Sequence, residues 1–541
     1  MSNTENIIPS NPLARRSFLK ALGAVGVVGA GSSLLAACGG GSSDSSSASN
    51  GDGGAAGGGE INAFYAFSLS GAFDPAQASS AVGVPALWHI MEGITDLSAA
   101  DRKPYPALAK EMPTKVDDVT WEAELRDGAV FQDGSPVTTE DVVWSFQRVT
   151  DPATKSLLAP FLAFLKDVEA VDDKKIRFNL NYPYADFLEL ITVVKIVPKA
   201  LTDTEAKLEE FKAKPIGSGP YKLVSAESAL VVMEKFDGYN GSQKAYADKL
   251  TWHCSTEGSA RVSALQSGSA AAIQNVPFLN VDTVKSTATV ADEQGFNLLF
   301  LMFNCKAKPF DDVRVRQALF YALDMEQIVK VAANGYATPA TCYLDDKNPG
   351  YQKASTVYSH DPDKARELLK EAGVDSLDFE LVTTDVAFVK AAGPIIQSNW
   401  KEIGVNVTLN PLASSAVYQT EVPSEKFRAL LASGDPSIYG SSADLLLRWY
   451  YASDTWMGDR ARFSDDPEFL LIKGTLDKAS QEQDDSKREA LYKEVFDAIA
   501  TQVPLYPIFH VKNVTGWNEK QIEGFKPSPS NALVFLNVKK V

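Results

Sequence analysis

The chain has 541 residues, of which 45% are hydrophobic and 22% charged, and it contains four cysteines. That is too apolar for a chain disordered throughout and too poor in Cys for a disulfide-stapled miniature. The formal net charge of -17 excludes a general nucleic-acid binder, because phosphate neutralisation needs clustered Lys and Arg, and the longest basic cluster is Lys174-Lys175 followed by Arg177.

In chain order, the first feature is Arg15-Arg16-Ser17-Phe18-Leu19-Lys20, followed by the apolar stretch Ala21 to Leu35. This stretch is shorter than the roughly 20 residues a membrane span needs, and it fits the apolar region of an export signal. The arginine pair resembles a twin-arginine signal. Leu35-Ala36-Ala37-Cys38 resembles a bacterial lipobox, in which Cys38 becomes the acylated N-terminus. Residues 1–37 are therefore expected to be a signal peptide and Cys38 a lipid anchor, with two or more acyl chains giving a stable hold on the membrane. Residues 38–60 are mostly Gly and Ser and read as a flexible tether, about 25 Å in mean span. Cleavage would remove three basic side chains and one acidic one, leaving the mature chain more negative than the gene product. Cys254, Cys305 and Cys342 would remain, enough for at most one disulfide. Folding before export, in a reducing compartment, argues against a fold that depends on one.

The rest alternates helical and strand patterns, with no long linker and no fixed-period repeat. At about 100–200 residues per domain, the length predicts two to four domains. Trp121 to Arg126 alternates strictly, with Trp121, Ala123 and Leu125 on one face, and predicts a half-buried strand. Asp127-Gly128 and Asp133-Gly134 mark tight turns. Thr138 with Asp141 predicts a helix start, with Val142, Val143, Phe146 and Val149 as its apolar face. Lys175 to Asn181 predicts a second strand. Asp361-Pro362 opens a helix that buries Ala365, Leu368, Leu369 and Ala372 and stops at Gly373. Leu491, Tyr492, Val495, Phe496 and Ile499 form a late helix ended by Pro504. The mixture is α/β.

Catalytic motifs do not appear. The four histidines are His89, His253, His360 and His510, and none lies in an H-E-x-x-H pattern. His89 and Glu92 lie one helical turn apart, where a metal could bind, but a surface or core pair is the favoured reading, and no metal or cofactor is expected. There is no G-x-S-x-G elbow. Gly217-Ser218-Gly219-Pro220 reads as a turn before a strand, since a phosphate loop would need a following Lys-Ser/Thr step. No enzymatic activity is expected.

Several long motifs occur in order: Leu125-Arg126-Asp127-Gly128 through Asp133-Gly134-Ser135-Pro136-Val137-Thr138; Gly217 to Leu223; Pro309-Phe310-Asp311-Asp312-Val313-Arg314-Val315-Arg316-Gln317-Ala318-Leu319; Glu371-Ala372-Gly373; Ile403-Gly404-Val405; and Val503-Pro504-Leu505-Tyr506. Over about residues 61–541 this set resembles the peptide/nickel-type extracellular solute-binding proteins of ABC transporters, the oligopeptide and dipeptide binding proteins. The resemblance implies an α/β, two-lobed, hinged fold of the periplasmic-binding-protein type II class with an additional domain on the first lobe. Residues 61–93, 212–298 and 506–541 would form lobe I, residues 94–211 the extra domain and residues 299–505 lobe II. It also implies a lipid-anchored, monomeric receptor on the extracytoplasmic face of the cell membrane. That receptor would close over a small solute, above all an oligopeptide, and deliver it to ABC permease subunits. The alternatives are a sugar, an opine or a metal chelate on the same scaffold, and an exported hydrolase.

Site residues follow from the resemblance as expectations. In the family's peptide binders an Asp on the second lobe holds the ligand ammonium, and Asp435, in Leu431 to Ser437, takes its place. Asp444 is a second acidic candidate. Val82, Gly83 and Val84 match a segment that lines the cleft, with Gly83 allowing close backbone approach. Trp88, Tyr439, Trp449 and Trp456 are candidate aromatic walls, and Tyr506 lies where the chain crosses between lobes.

Overall fold

The computed structural model describes residues 58–541. The twin-arginine stretch, Cys38 and the tether up to residue 57 lie outside the described residues. Among the described residues no helix is long and apolar enough to cross a membrane.

The fold begins at β1 (Glu60–Tyr65), whose Ile61, Ala63 and Tyr65 face inward. A short helix, α1 (Gly83–Ile90), follows. Next comes a separate antiparallel sheet of four strands: β2 (Thr114–Asp117), β3 (Thr120–Glu124), β4 (Leu165–Ala170) and β5 (Lys175–Leu180), in the order β2-β3-β5-β4. The alternation predicted at Trp121 is realised in β3, with Ala123 and Leu125 buried and Glu124 exposed. Helix α2 (Thr139–Thr150) has a full capping box: Thr138 accepts from the Asp141 amide, and Asp141 accepts from the Thr138 amide. Its Phe146 meets Phe178 of β5 edge to face at 5.3 Å.

The chain then builds one sheet of eleven strands. These are β1, β6 (Tyr221–Glu227), β7 (Leu230–Lys235), β8 (Lys249–Cys254), β9 (Ala272–Ile273), β10 (Thr289–Phe303), β11 (Ala337–Pro339), β12 (Leu377–Thr384), β13 (Val405–Leu412), β14 (Ala429–Gly434) and β15 (Leu505–Trp517). The order is β13-β12-β14-β10-β15-β9-β1-β8-β7-β6, with β11 also on β15. Helices pack around it, among them α3 (Val313–Tyr321), α4 (Pro362–Glu371), α5 (Ala443–Tyr451), α6 (Pro467–Gln481) and α7 (Asp485–Gln502). Asp361 caps α4 and Pro362 is its first residue, as predicted. Gly217 and Gly219, before β6, lie against the backbone of α1: a Cβ on either would come within 2.2 and 2.6 Å of carbonyl oxygens of Ile90 and His89.

The long strands β10 and β15 carry the two lobes. They pair antiparallel in two stretches, Thr289–Gln294 against Trp517–Lys512 and Leu298–Met302 against His510–Leu505, with the register shifting between Gln294 and Leu298. The first stretch continues through β9 into β1, β8, β7 and β6, and the second through β14 into β12 and β13. From Leu298 to Phe303 every residue of β10 is buried, as expected for a strand covered on both faces.

At the break, a Cβ on Gly295 would lie 2.2 Å from the Pro529 carbonyl and 2.6 Å from the Asn513 side-chain nitrogen. Gly295→Ala should therefore destabilise the protein by roughly 1–3 kcal/mol, the usual cost of overpacking. A denaturant titration would read this as a lower midpoint with an unchanged slope.

Candidate functional site

Asp435 is the first residue beyond β14, and it caps the short turn Pro436–Ile438. Its Oδ1 accepts from the amide and the hydroxyl of Ser437. Its Oδ2 is out of solvent and has no partner among the described residues. The residue as a whole is only half-buried, but its carboxylate is enclosed. Burial pushes the carboxyl up to about 6, against the lowering pull of Ser437 and of the Arg102 guanidinium.

Arg102 reaches this turn from the segment that carries the small sheet. Its Nη2 donates to the carbonyls of Ser437 (3.1 Å) and Ile438 (2.9 Å), and its guanidinium lies 4.9 Å over the Trp88 ring of α1. Burial lowers it to about 10, countered by Glu189 and Asp435. The same segment grips the chain further on: Glu189 Oε1 accepts from the amides of Ser441 (2.6 Å) and Ser442 (2.9 Å), just before α5. From α5, Asp444 accepts from the Tyr184 hydroxyl at 2.8 Å and from Arg448 Nε at 2.7 Å. The Tyr439 hydroxyl donates to the Ala78 carbonyl at 2.8 Å. The run 437–444 is thus held from the N-terminal part of the chain at four points. A cavity of about 260 Å³ lies beside it, with Ala78, Val84, Trp88, Arg102, Ile438 and Tyr439 in its wall.

The structure brings together Val84, Trp88 and Tyr439 in the cavity wall with Arg102; Asp435 does not line this cavity and is tied to it only through the charge of Arg102. Trp449 stands behind this wall, 5.5 Å from Tyr439 and stacked on Phe161 at 6.0 Å. Val82 and Gly83 are buried at the start of α1. A methyl on Gly83 would meet Ser80 and Leu69 at 3.4 and 3.7 Å; these are ordinary contacts, so the expected close backbone approach is not seen there. Asp444 is committed to the ion pair with Arg448, which also holds Asp477 at 2.9 Å. Tyr506 packs in the core against Phe320 and Tyr358. Trp456 lies further along, 4.7 Å from Tyr450. The Tyr450 hydroxyl is buried without a partner among the described residues, and a Cβ on Gly434 would lie 2.0 Å from it; glycine is what lets this ring reach the backbone beside Asp435. His89 and Glu92 do not face a common ligand. His89 Nδ1 is 2.8 Å from the Pro85 carbonyl and its Nε2 accepts from the Phe535 amide at 2.9 Å, while Glu92 pairs with Arg126. Burial lowers His89 to about 4. Cys254, Cys305 and Cys342 are free thiols.

Arg102, Glu189 and Tyr184 were not anticipated from the sequence. Arg102 lies in the charged run Asp101-Arg102-Lys103, which looks like any solvated turn. Its positive φ of 57° turns it inward, and no residue pattern announces that.

A hinged, two-lobed α/β body, with an unsatisfied carboxylate where an added domain grips the second lobe, defines a solute-binding protein of the ABC importer class. Comparison with known proteins makes this specific. Residues 103–456 match the family model described as bacterial extracellular solute-binding proteins, family 5, and the chain belongs to that family. The glutathione-binding protein GsiB of Pectobacterium atrosepticum is 26% identical over 478 residues, covering 86% of this chain and 91% of the relative. Among solved structures, the periplasmic binding protein DppA of Helicobacter pylori with the peptide STSA superposes with a TM-score of 0.79 at 24% identity, over 90% of this chain and 98% of that one. The binding protein AgaA of A. tumefaciens R10 with agropinic acid gives 0.78 at 25% identity, over 89% and 99%. These relatives are binding proteins rather than enzymes, and nothing in them favours a hydrolase.

The folded carboxyl of Asp435 titrates above its unfolded value of about 3.9, so ionisation costs stability. The cost is full above about pH 6 and absent below about pH 4. Asp435→Asn should raise the melting temperature of the solute-free protein at pH 7.5, by roughly 2–3 kcal/mol of stability, and the gain should vanish near pH 4. Paired thermal melts across that range would show it.

Proposed function

We propose that this protein is a lipid-anchored extracytoplasmic receptor that captures an oligopeptide-like solute through its free ammonium group and hands it to an ABC permease. The observation that carries the reading is the buried, partnerless Oδ2 of Asp435. An enclosed carboxylate with a free oxygen is a strong receptor for an ammonium, because charge-assisted hydrogen bonds are strong where water is excluded. Relatives named for glutathione and for the peptide STSA support a peptide. The structure with agropinic acid supports an opine as the second reading. We assign the lobes and the extra domain the boundaries read from the motifs, with residues 94–211 closing on residues 437–444. Val84, Trp88 and Tyr439 form the walls, with Val82, Gly83 and Trp449 behind them, Asp444 bracing the start of α5, and Tyr506 in the core where the chain crosses between lobes. Cys38 supplies the anchor after twin-arginine export. The receptor works as a monomer, without a metal or other cofactor.

The carboxyl near 6 must ionise to hold the ammonium. Affinity for tri-alanine should be flat between about pH 6.5 and 7.5. It should fall roughly tenfold per pH unit below about pH 6 as Asp435 protonates, and again above about pH 8 as the ligand amine loses its proton. Calorimetry would read this profile. N-acetyl-tri-alanine should bind about 100-fold more weakly, as expected when a buried charge is left unpaired. Equal binding of the acetylated and free peptides would sink the assignment.

A further inference from the structure

The run 437–442 is held at both ends by a charged side chain, and each acts on its main chain. Arg102 donates to the carbonyls of Ser437 and Ile438 at 3.1 and 2.9 Å. Glu189 Oε1 accepts from the amides of Ser441 and Ser442 at 2.6 and 2.9 Å, with the Ser441 hydroxyl at 3.4 Å as a weaker third contact. The cation takes carbonyls and the anion takes amides, so each charge meets the pole of the peptide group that it attracts. The two amides lie just before α5, where the helix dipole also favours a negative charge. Gly440 leaves the room for this: a Cβ there would lie 3.1 Å from Glu189 Oε1 and 2.7 Å from the Leu445 side chain.

Both arms are mounted stiffly and tied to each other. Arg102 sits in the turn between the paired strands Thr95–Leu97 and Pro104–Pro106, with its guanidinium packed over Trp88. Glu189 lies on the short helix Phe187–Leu190. There Phe187 stacks on Trp121 at 4.6 Å and meets Phe178 edge to face at 5.5 Å, against the four-stranded sheet. Asp96, beside the Arg102 turn, and Lys195, just beyond Glu189, form an enclosed ion pair that joins the two arms. Both arms come from residues 94–211, assigned above to the extra domain. The run they hold belongs to the segment assigned to lobe II.

We propose that Arg102 and Glu189 are the two arms of a latch by which the extra domain holds lobe II in the closed form, so that part of the strength of closure is set outside the solute's own contacts. The latch rests on the two-lobed receptor read above and not on the identity of the solute. When the lobes part, water replaces the latch at all four backbone groups, so the latch exchanges hydrogen bonds rather than adding them and its net strength is modest. It opposes the cost of enclosing Asp435 without locking the lobes. Arg102 and Glu189 are positioning residues: by raising the closed population they tighten binding of every solute by a common factor.

Amide hydrogen exchange reads the latch with no solute present. The reference is the full receptor carrying Asp435→Asn, which removes the carboxylate whose enclosure opposes closure. In it the Ser441 and Ser442 amides should be protected. Arg102→Gln touches neither amide, yet it should speed their exchange about tenfold by opening the lobes. Arg102→Lys, which keeps the charge, should do so less. The Leu445 amide, held by Ser442 Oγ at 3.2 Å within the same lobe, should be unchanged. The affinity arm keeps Asp435 and uses Glu189→Ala, since Glu189 is not in the cavity wall. Tri-alanine and tri-leucine should weaken by the same factor, about tenfold, and Glu189→Gln, whose amide oxygen still accepts, should weaken both less. Thermal melting checks that each variant is folded. Unprotected Ser441 and Ser442 amides in the reference, or exchange there unmoved by both Arg102 variants, overturn the latch. Unequal factors for the two peptides overturn its independence of the solute. Failure of both peptides to bind the unaltered receptor overturns the peptide reading alone, and the exchange result then decides the latch.

Discussion

Everything in this molecule hangs on the pairing of two strands that belong to both lobes. Because β10 and β15 pair on each side of the break at residues 295–297, one hydrogen-bonded sheet of eleven strands runs through both lobes. Sliding the lobes would break a ladder of backbone bonds that water cannot reach, whereas bending at the break costs no ladder bond. His510 marks the site: its ring nitrogens lie 3.2 Å from the Phe296 carbonyl, inside the break, and 3.4 Å from that of Cys342. A neutral imidazole donates only one proton, so it can hydrogen-bond to one of these two carbonyls and not to both. The contacts of Arg102, Glu189, Tyr184 and Tyr439 lie across the gap that such a bend would open and close.

Two aspartates nine residues apart show how the protein separates structure from function. Asp444 is buried and complete, its Oδ2 shared between Arg448 and Tyr184. Asp435 is enclosed and incomplete, with one oxygen held by Ser437 and the other free. Arg102, whose charge Asp435 feels, donates through Nη2 to the carbonyls of the same turn. Arg102 therefore positions the turn and tempers the charge without neutralising it. A carboxylate whose bonding capacity is met contributes rigidity; one left short can be satisfied only by something that arrives.

The legible parts of this chain were local. Capping at Thr138, the alternation around Trp121 and the start at Asp361-Pro362 each follow from neighbours in sequence, and each appears in the fold. Asp435 was singled out because its segment aligned with a known pattern, and what the structure adds is an enclosed carboxylate with one oxygen left unpartnered among the described residues. Asp444 was read as a ligand contact without its partner Arg448, which stands at i+4, a spacing that pairs charges on any helix. Arg102 was beyond reach, because its role depends on a left-handed backbone and on a contact 335 residues away. Gly83 was read as a close approach, while the crowded glycines are Gly217, Gly219, Gly295 and Gly434. A glycine's letter shows that space is permitted and says nothing about whether a neighbour takes it.

The cost stored at Asp435 also bears on how a binding protein avoids closing on nothing. Lifting a carboxyl from about 3.8 to about 6 corresponds to about 3 kcal/mol at neutral pH. To the extent that the enclosure comes from the turn being held by Arg102 and Tyr439, that cost is paid on closure. It then biases the solute-free protein toward the open form by up to roughly 100-fold. In the function proposed here, an ammonium on Oδ2 would cancel the cost, and the ligand would stabilise the closed form by contact and by relief together. Differential affinity of this kind is all that a population shift requires. On the same reading, a lysine placed at Oδ2 would make the protein more stable and would favour the closed form with or without a solute.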